Sequence, residues 1–169
     1  MKKVCRIIIL AFLINLGAHQ TSLAPNIPYE WVKDSRRITV LQHLDFSYEN
    51  FKEYLTLRGI KYQKIIVKQA ILETGYFTSL VFTVNNNLFG MRHPRIRNTV
   101  SLGSNLNHAK YRHWTDSVED YILWQDYHNR LIEDCYYTFL KKVGYATDTQ
   151  YTKKLKTIDI MNNLKLNNV

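Results

Sequence analysis

A chain of 169 residues that is 46% hydrophobic and 13% aromatic has room for one ordinary domain, and it carries too much core-forming material to be wholly disordered. Six glycines and three prolines are too few for a low-complexity chain. The formal charge of +9 at pH 7 suits an anionic partner such as cell wall, membrane surface or nucleic acid.

The opening stretch, "MKKVCRIIILAFLINLGAHQTSLAP", reads as an export signal over residues 1–24. Lys2, Lys3 and Arg6 form its basic start, and the apolar run from Ile7 to Leu16 is broken only by Asn15. That run falls short of the ~20 residues that span a bilayer. The expectation is cleavage after Ala24, following Ser22-x-Ala24, or nearer Ala18; the alternative is retention as an N-terminal anchor, the chain's one route to a membrane. Cleavage would remove Lys2, Lys3 and Arg6 but no acid, so the remainder stays basic. It would also leave Cys135 as the sole cysteine, with no intrachain disulfide to form.

Residues 25–45, with Pro25 and Pro28, read as a lead-in, with order beginning near Ser47. Ser47 is placed to cap a helix whose Phe51, Tyr54 and Leu55 share a face and which stops at Gly59. A second helix is predicted from Tyr62 to Thr74, burying Ile65, Ile66, Ala70 and Ile71 and ending at Gly75. From Asn85 to Trp114 the helical period disappears, and "NNLFGMR", "NTVSL" and "AKYRHW" read as extended pieces of a small antiparallel hairpin, joined by "GSN" and a turn at Pro94. "TDSVEDYILWQDYHNRL" opens a third helix, with Asp116 and Glu119 at capping-box spacing. A fourth runs from Leu131 to Val143 and stops at Gly144. A fifth follows Asp148, with Tyr151, Leu155 and Ile158 on one side, and residues 163–169 form a polar tail. The pattern is α+β: mostly helical, with a cleft expected between hairpin and helices.

Glu73 is the only acid between Ile71 and Asp116. It falls in the last turn of its predicted helix, where the helix dipole opposes negative charge and Ile71, Leu72, Tyr76 and Phe77 would partly desolvate it. Both effects raise a carboxyl pKa toward the range of a general acid. The plain alternative is a solvent-facing glutamate that tolerates its position.

Four stretches, "KQAILETG", "NNLFGMR", "YRHWTDSVEDYI" and "VGYATDTQYTKKL", give the chain a resemblance to the bacterial glucosaminidase family of peptidoglycan hydrolases. That family includes the wall-cutting domain of flagellar rod-assembly proteins, and the resemblance covers Ser47 to Met161. It implies a lysozyme-like domain over residues 46–162, with Glu73 as the catalytic general acid and Tyr145 near the reacting sugar. Asn86, Asn87, Leu88, Phe89 and Gly90 match the segment leading to the hairpin, and Tyr111 and Trp114 match the stretch that closes it. On this resemblance Tyr111, Asn87, Phe89, Gly90 and Trp114 are the substrate-binding candidates, although a structural role suits Leu88 and Phe89, and Trp124 reads as core.

Many members of the family carry an acid in the hairpin, facing the helix glutamate. This chain has none there, although a two-carboxylate glycosidase needs its acids ~5 Å apart to retain configuration or ~6.5–9.5 Å apart to invert it. Asp116 and Glu119 read as helix-start residues. The 2-acetamido group of a peptidoglycan sugar can supply the missing nucleophile, so that one acid suffices. Arg92, His93, Arg95, Arg97 and His108 would then face an anionic polymer or form a solvated basic loop. His93, His108 and His113 lack metal-ligand spacing, and no cofactor is expected. The export signal and the lack of a basic helix or stacking sheet argue against nucleic acid. The resulting expectation is an exported, monomeric endo-β-N-acetylglucosaminidase. Its rivals are a muramidase or lytic transglycosylase, or a wall-binding module that has lost activity.

Overall fold

The computed structural model describes residues 29–131 and 135–160. The export stretch at 1–24 and the tail at 163–169 lie outside the described residues. The elements run α1 (Tyr29–Leu41), α2 (Tyr48–Leu57), α3 (Gln63–Glu73), α4 (Leu80–Asn85), β1 (Ser104–Asn105), β2 (His108–Ala109), α5 (Trp114–Tyr127), α6 (Tyr136–Lys142) and α7 (Tyr151–Thr157). This is the mostly helical α+β class, with β1 and β2 as one small antiparallel pair. Among the described residues no helix is long and apolar enough to cross a membrane.

Local chemistry sets the helix limits. The Ser47 hydroxyl accepts from the Asn50 N–H and starts α2, while Gly59, at φ +62°, takes the chain out of it. Phe51, Tyr54 and Leu55 are buried on that helix as expected. In α3 the buried residues are Ile66, Val67, Gln69, Ala70 and Ile71, whereas Ile65 is only half-buried.

Order begins before Ser47. Residues 29–41, expected within the lead-in, form α1, whose Arg37 pairs with Glu53 of α2 at 2.7 Å. Leu41 is fully buried, and the Leu44 carbonyl accepts the indole N–H of Trp114 at 2.9 Å. Phe46 then inserts among Phe51, Phe77, Phe82 and Trp114, with ring centroids 4.8 to 6.1 Å apart. Offset and edge-on pairs of this kind each add roughly 0.5–1.5 kcal/mol beyond area burial. This aromatic joint ties α1 to the domain, and its mixed polar sequence hid it. The short helix α4 was also unforeseen, although the Ser79 hydroxyl caps it by accepting from the Phe82 N–H.

The capping box at Asp116 and Glu119 does not form. His113 caps α5, its ring accepting from the Thr115 N–H, and Glu119 instead receives Arg58 at 2.6 Å and the Tyr54 hydroxyl at 2.7 Å. In the hairpin, the expected "GSN" joint is partly strand: Ser104 and Asn105 pair with Ala109 and His108. The tight turn is Leu106–Asn107, both at positive φ, which matches the twist of a two-residue hairpin loop.

So short a ladder cannot hold a lobe, and three asparagines do most of the joining. The Asn85 side chain donates to the Asn105 carbonyl and accepts from the Asn105 side-chain amide, and Asn86 donates to the carbonyls of Tyr111 and Arg112. Asn87, 1% exposed, donates to the carbonyls of Met91 and Ala109 and accepts from the N–H groups of Phe89 and Met91. The Met91 carbonyl keeps the Ala109 N–H, so truncating Asn87 would strand three backbone groups, each worth roughly 1–3 kcal/mol when left unpaired, less whatever water recovers. Urea denaturation of Asn87→Ala is expected to show a loss of about 3 kcal/mol or more. A loss below about 1 kcal/mol would mean that the lobe is held elsewhere.

Candidate active site

Glu73 is the last residue of α3, and the turn beyond it sets its position. Gly75, Tyr76 and Phe77 all adopt left-handed backbone, at φ +54°, +61° and +65°. Only glycine does so without a cost of roughly 1–2 kcal/mol per residue, so something must hold the turn. Buried Thr74 does: its hydroxyl donates to the Ala70 carbonyl at 2.6 Å and accepts from the Phe77 N–H at 2.8 Å. The Phe77 ring then enters the Phe46 cluster, while Tyr76 turns outward, 37% exposed, and does not cover the acid.

The covering groups come from elsewhere. The Tyr151 hydroxyl donates to Glu73 Oε1 at 2.7 Å, and Gly90 lies against Oε2, so close that a Cβ there would come within 2.7 Å. Gly90 is required twice over, by that approach and by its φ of +61°. Burial pushes the Glu73 carboxyl above its ordinary range, while the Tyr151 hydrogen bond and the nearby His108 draw it partway back.

Behind Tyr151 runs a buried chain of donors. Gln125 donates to the Tyr136 hydroxyl, Tyr136 to Tyr121, and Tyr121 to Gln69 Oε1. The other end of that amide, Gln69 Nε2, donates to the Tyr151 oxygen, whose proton goes to Glu73. Because each hydroxyl has one proton to give, the direction of every bond follows from its neighbour, and all point toward Glu73.

Glu73 opens on a cleft of about 530 Å³ whose walls include Gly90, Arg92, His108, Trp124 and Tyr145. Glu73 is the sole carboxylate in that lining. Trp124 meets Tyr145 edge-on at 5.1 Å, and Tyr145 stacks on Tyr151 at 5.6 Å. The Tyr145 hydroxyl donates to the Phe89 carbonyl at 2.8 Å, holding the segment that delivers Gly90.

The structure thus brings together Glu73, Gly90, Tyr145 and the backbone of Phe89; the Phe89 ring is packed inward, 1% exposed. It does not bring Asn87, Tyr111 or Trp114 to the cleft. Asn87 is spent on the hairpin carbonyls. Tyr111 is buried with its hydroxyl donating to Asp120 at 2.7 Å, and Trp114 is buried between Phe46 and Tyr54. Their places are reversed with Trp124, read as core but half-buried in the cleft wall. Arg97 also departs from expectation. It lines the cleft, but its charge is spent on Asp120, which it meets in a bidentate pair at 2.8 and 3.0 Å, with side-chain exposures of 6% and 0%. Sequence reading missed Tyr151, Tyr121 and Tyr136 as members of the site. Gln69 was the available signal, a polar residue in an apolar stripe and four residues before Glu73, hence on its face of the helix.

A family model, glucosaminidase (mannosyl-glycoprotein endo-beta-N-acetylglucosaminidase), matches residues 48–166. The chain belongs to the glucosaminidase family. No curated protein and no solved structure matches it. The family match covers every cleft residue named above, α3 through α7, and leaves α1 outside it.

In this glucosaminidase-family site the Tyr151 hydroxyl favours the charged form of Glu73, and its removal must move the carboxyl further up. Tyr151→Phe is therefore expected to raise the Glu73 titration midpoint above that of the wild type, read by NMR of the labelled carboxyl carbon. A midpoint that fell or stayed still would mean the hydrogen bond does not form in solution.

Proposed function

We propose that the chain is an exported peptidoglycan hydrolase that cuts the β-1,4 bond after N-acetylglucosamine, with Glu73 as general acid and the substrate's own acetamido group as nucleophile. One observation carries this reading: a lone, half-buried carboxyl with a raised pKa, held by Tyr151 and Gly90 at the wall of a cleft that has no second acid. Family membership supports a peptidoglycan-type glycosidase, and the basic, apolar first residues support export.

On this reading the two oxygens of Glu73 have different tasks. Oε1 accepts from Tyr151, so the proton of the acid form sits on Oε2, beside Gly90. A glycosidic oxygen entering over Gly90 takes that proton as its bond to the anomeric carbon breaks. The acetamido carbonyl oxygen closes on the same carbon and gives an oxazolinium ion. Water then attacks the anomeric carbon, the ring opens to restore the acetamide, and Glu73 takes the proton of the water. The configuration is retained, with no carboxylate nucleophile. The Tyr145 O–H is already engaged in donating to the Phe89 carbonyl, so it presents oxygen lone pairs to the positive charge that develops nearby.

The second reading is a wall-binding module on the same fold, and the same observation favours it: a cleft with one acid lacks a protein group to activate water in a two-carboxylate scheme. Digestion of purified sacculi followed by mass spectrometry separates the two. The expected products carry N-acetylglucosamine reducing ends and disappear with Glu73→Gln, a loss of about 10²–10⁴-fold. Reducing or anhydro N-acetylmuramic acid ends would move the cut to the neighbouring bond. Binding without any cleavage would leave the module.

Gly90→Ala offers an independent check. The added methyl displaces Oε2 of Glu73 yet meets no backbone, so the fold survives at a cost of about 1–2 kcal/mol for the left-handed φ. Turnover is expected to fall at least about tenfold in this variant, as a misplaced acid loses its alignment. Undiminished kcat would remove Oε2 from the mechanism.

A further inference from the structure

The Glu73 cleft continues into a second depression. Arg92 belongs to both, and the second, of about 660 Å³, is completed by His93, Arg95, Ser104 and Asn107. Arg92, His93 and Arg95 are exposed. The loop that carries them is pinned on either side. At its start, Met91 N–H donates to Asn87; at its end, Arg97 is locked onto Asp120. His93 is held through Nδ1 to the Ser101 hydroxyl at 2.6 Å.

The pinning leaves an asymmetry of charge. Arg97 has its counter-ion, whereas Arg92 and Arg95 form no ion pair among the described residues. No acid occurs between Glu73 and Asp116 to supply one locally. Two exposed guanidinium groups lining one depression make a local positive patch that favours an anion brought from outside. Each planar fork matches a carboxylate through two parallel N–H···O bonds. The sugars themselves offer no such group, because the hexose and acetamido groups are neutral and the lactyl carboxyl is consumed when a peptide is attached. The charge of that polymer lies on its peptide stems.

We infer that this shelf binds the free carboxylates of a peptide stem carried by the sugar adjoining the cut, so that the enzyme takes stem-bearing strands in preference to bare ones. The assignment rests on the peptidoglycan reading of the cleft. Arg92 stands at the junction, where a branch leaving a strand in the Glu73 cleft would enter the shelf, and Arg95 lies wholly beyond the cleft lining.

Binding tests this separately from catalysis. The full chain carrying Glu73→Gln is titrated with fluorescent N-acetylglucosamine–N-acetylmuramic acid oligosaccharides, either stem-bearing or stripped by an amidase and then capped as methylamides at the lactyl carboxyls that stripping frees. The stem-bearing form is expected to bind about tenfold more tightly, with the advantage shrinking as salt rises from about 0.05 to about 0.5 M. Arg95→Glu should abolish that advantage without changing affinity for bare strands, and Arg95→Lys, which keeps charge but loses the fork, should fall between. Equal affinity for the two oligosaccharides would overturn the proposal, as would an Arg95→Glu variant that weakens both alike. Displacement of bound strands by a glycerol-phosphate polymer and not by stem peptide would also overturn it, giving the shelf to a phosphate ligand. Wild-type turnover is measured beside these titrations. Its absence would sink the hydrolase reading, while the difference in affinity would still decide the shelf.

Discussion

The hydrogen bond from Tyr151 to Glu73 joins residues 78 positions apart, and much of the interior is arranged so that it can be made. A hydroxyl aimed at a carboxylate inside a core needs its own oxygen satisfied, as does each partner behind it, because a half-satisfied buried network is worse than none. Gln69 meets that demand on both sides, and Tyr121, Tyr136 and Gln125 extend it until the last amide reaches half-buried ground. No buried side-chain nitrogen or oxygen among the described residues is left without a partner. Burial pushes the Tyr136 hydroxyl up to about 12 and Tyr121 well above its ordinary value, so these members of the chain stay protonated donors at any physiological pH.

The helix α5 connects this network to the hairpin lobe. Within five residues, the Ser117 hydroxyl accepts from the Leu88 N–H, Glu119 takes Arg58 and Tyr54, Asp120 takes Arg97 and Tyr111, and Tyr121 enters the Gln69 chain. The helix therefore holds the approach to Gly90, the packing of α2, the basic loop and the support of Glu73 through successive side chains. Asp120 shows how the balance works. Burial alone would raise its carboxyl, but the Arg97 bonds and the Tyr111 hydroxyl more than offset that and hold it below its ordinary value. Breaking such a pair from one side costs about 3–5 kcal/mol. The loop and the helix are consequently fixed to each other, and the cleft between them keeps its shape.

What could be read in the chain beforehand follows from the range over which each force acts. The Ser47 cap, the stop at Gly59, the apolar stripe of α3 and the end at Gly144 are local events within a few residues, and local patterns express them. Glu73 stood out as a lone acid at a helix end, but a solvent-facing glutamate fits that pattern as well, and the family resemblance was what singled it out. Glu119 was not legible, because its spacing from Asp116 satisfies a capping rule while its partner, Arg58, lies 61 residues away. Trp114 and Trp124 are equally apolar in sequence, and only the positions of Phe46, Leu44 and Tyr145 decide which one faces the cleft. The helix α1 failed for a related reason. Leu41 is its one fully buried residue outside the first turn, too little for a periodic signal, and what holds the segment is an aromatic joint made by residues that follow it.

The lone acid and its tyrosine bear on each other. Where two carboxylates share a cleft, their repulsion helps to keep one of them protonated. Here desolvation must do that unaided, against the opposing pull of His108 and of Tyr151 itself. A donor that lowers the pKa of a general acid looks counterproductive if the acid only gives its proton away. On the proposed route it does more, since the same group must exist as a carboxylate long enough to take a proton from water in the second half of the cycle. The Tyr151 hydrogen bond stabilises that intermediate state, and burial stabilises the acid that begins and ends the cycle. A two-carboxylate enzyme can divide these demands between two environments. A single carboxyl has to compromise between them, and a buried tyrosine with its own line of donors is a fixed, water-independent way to set the compromise.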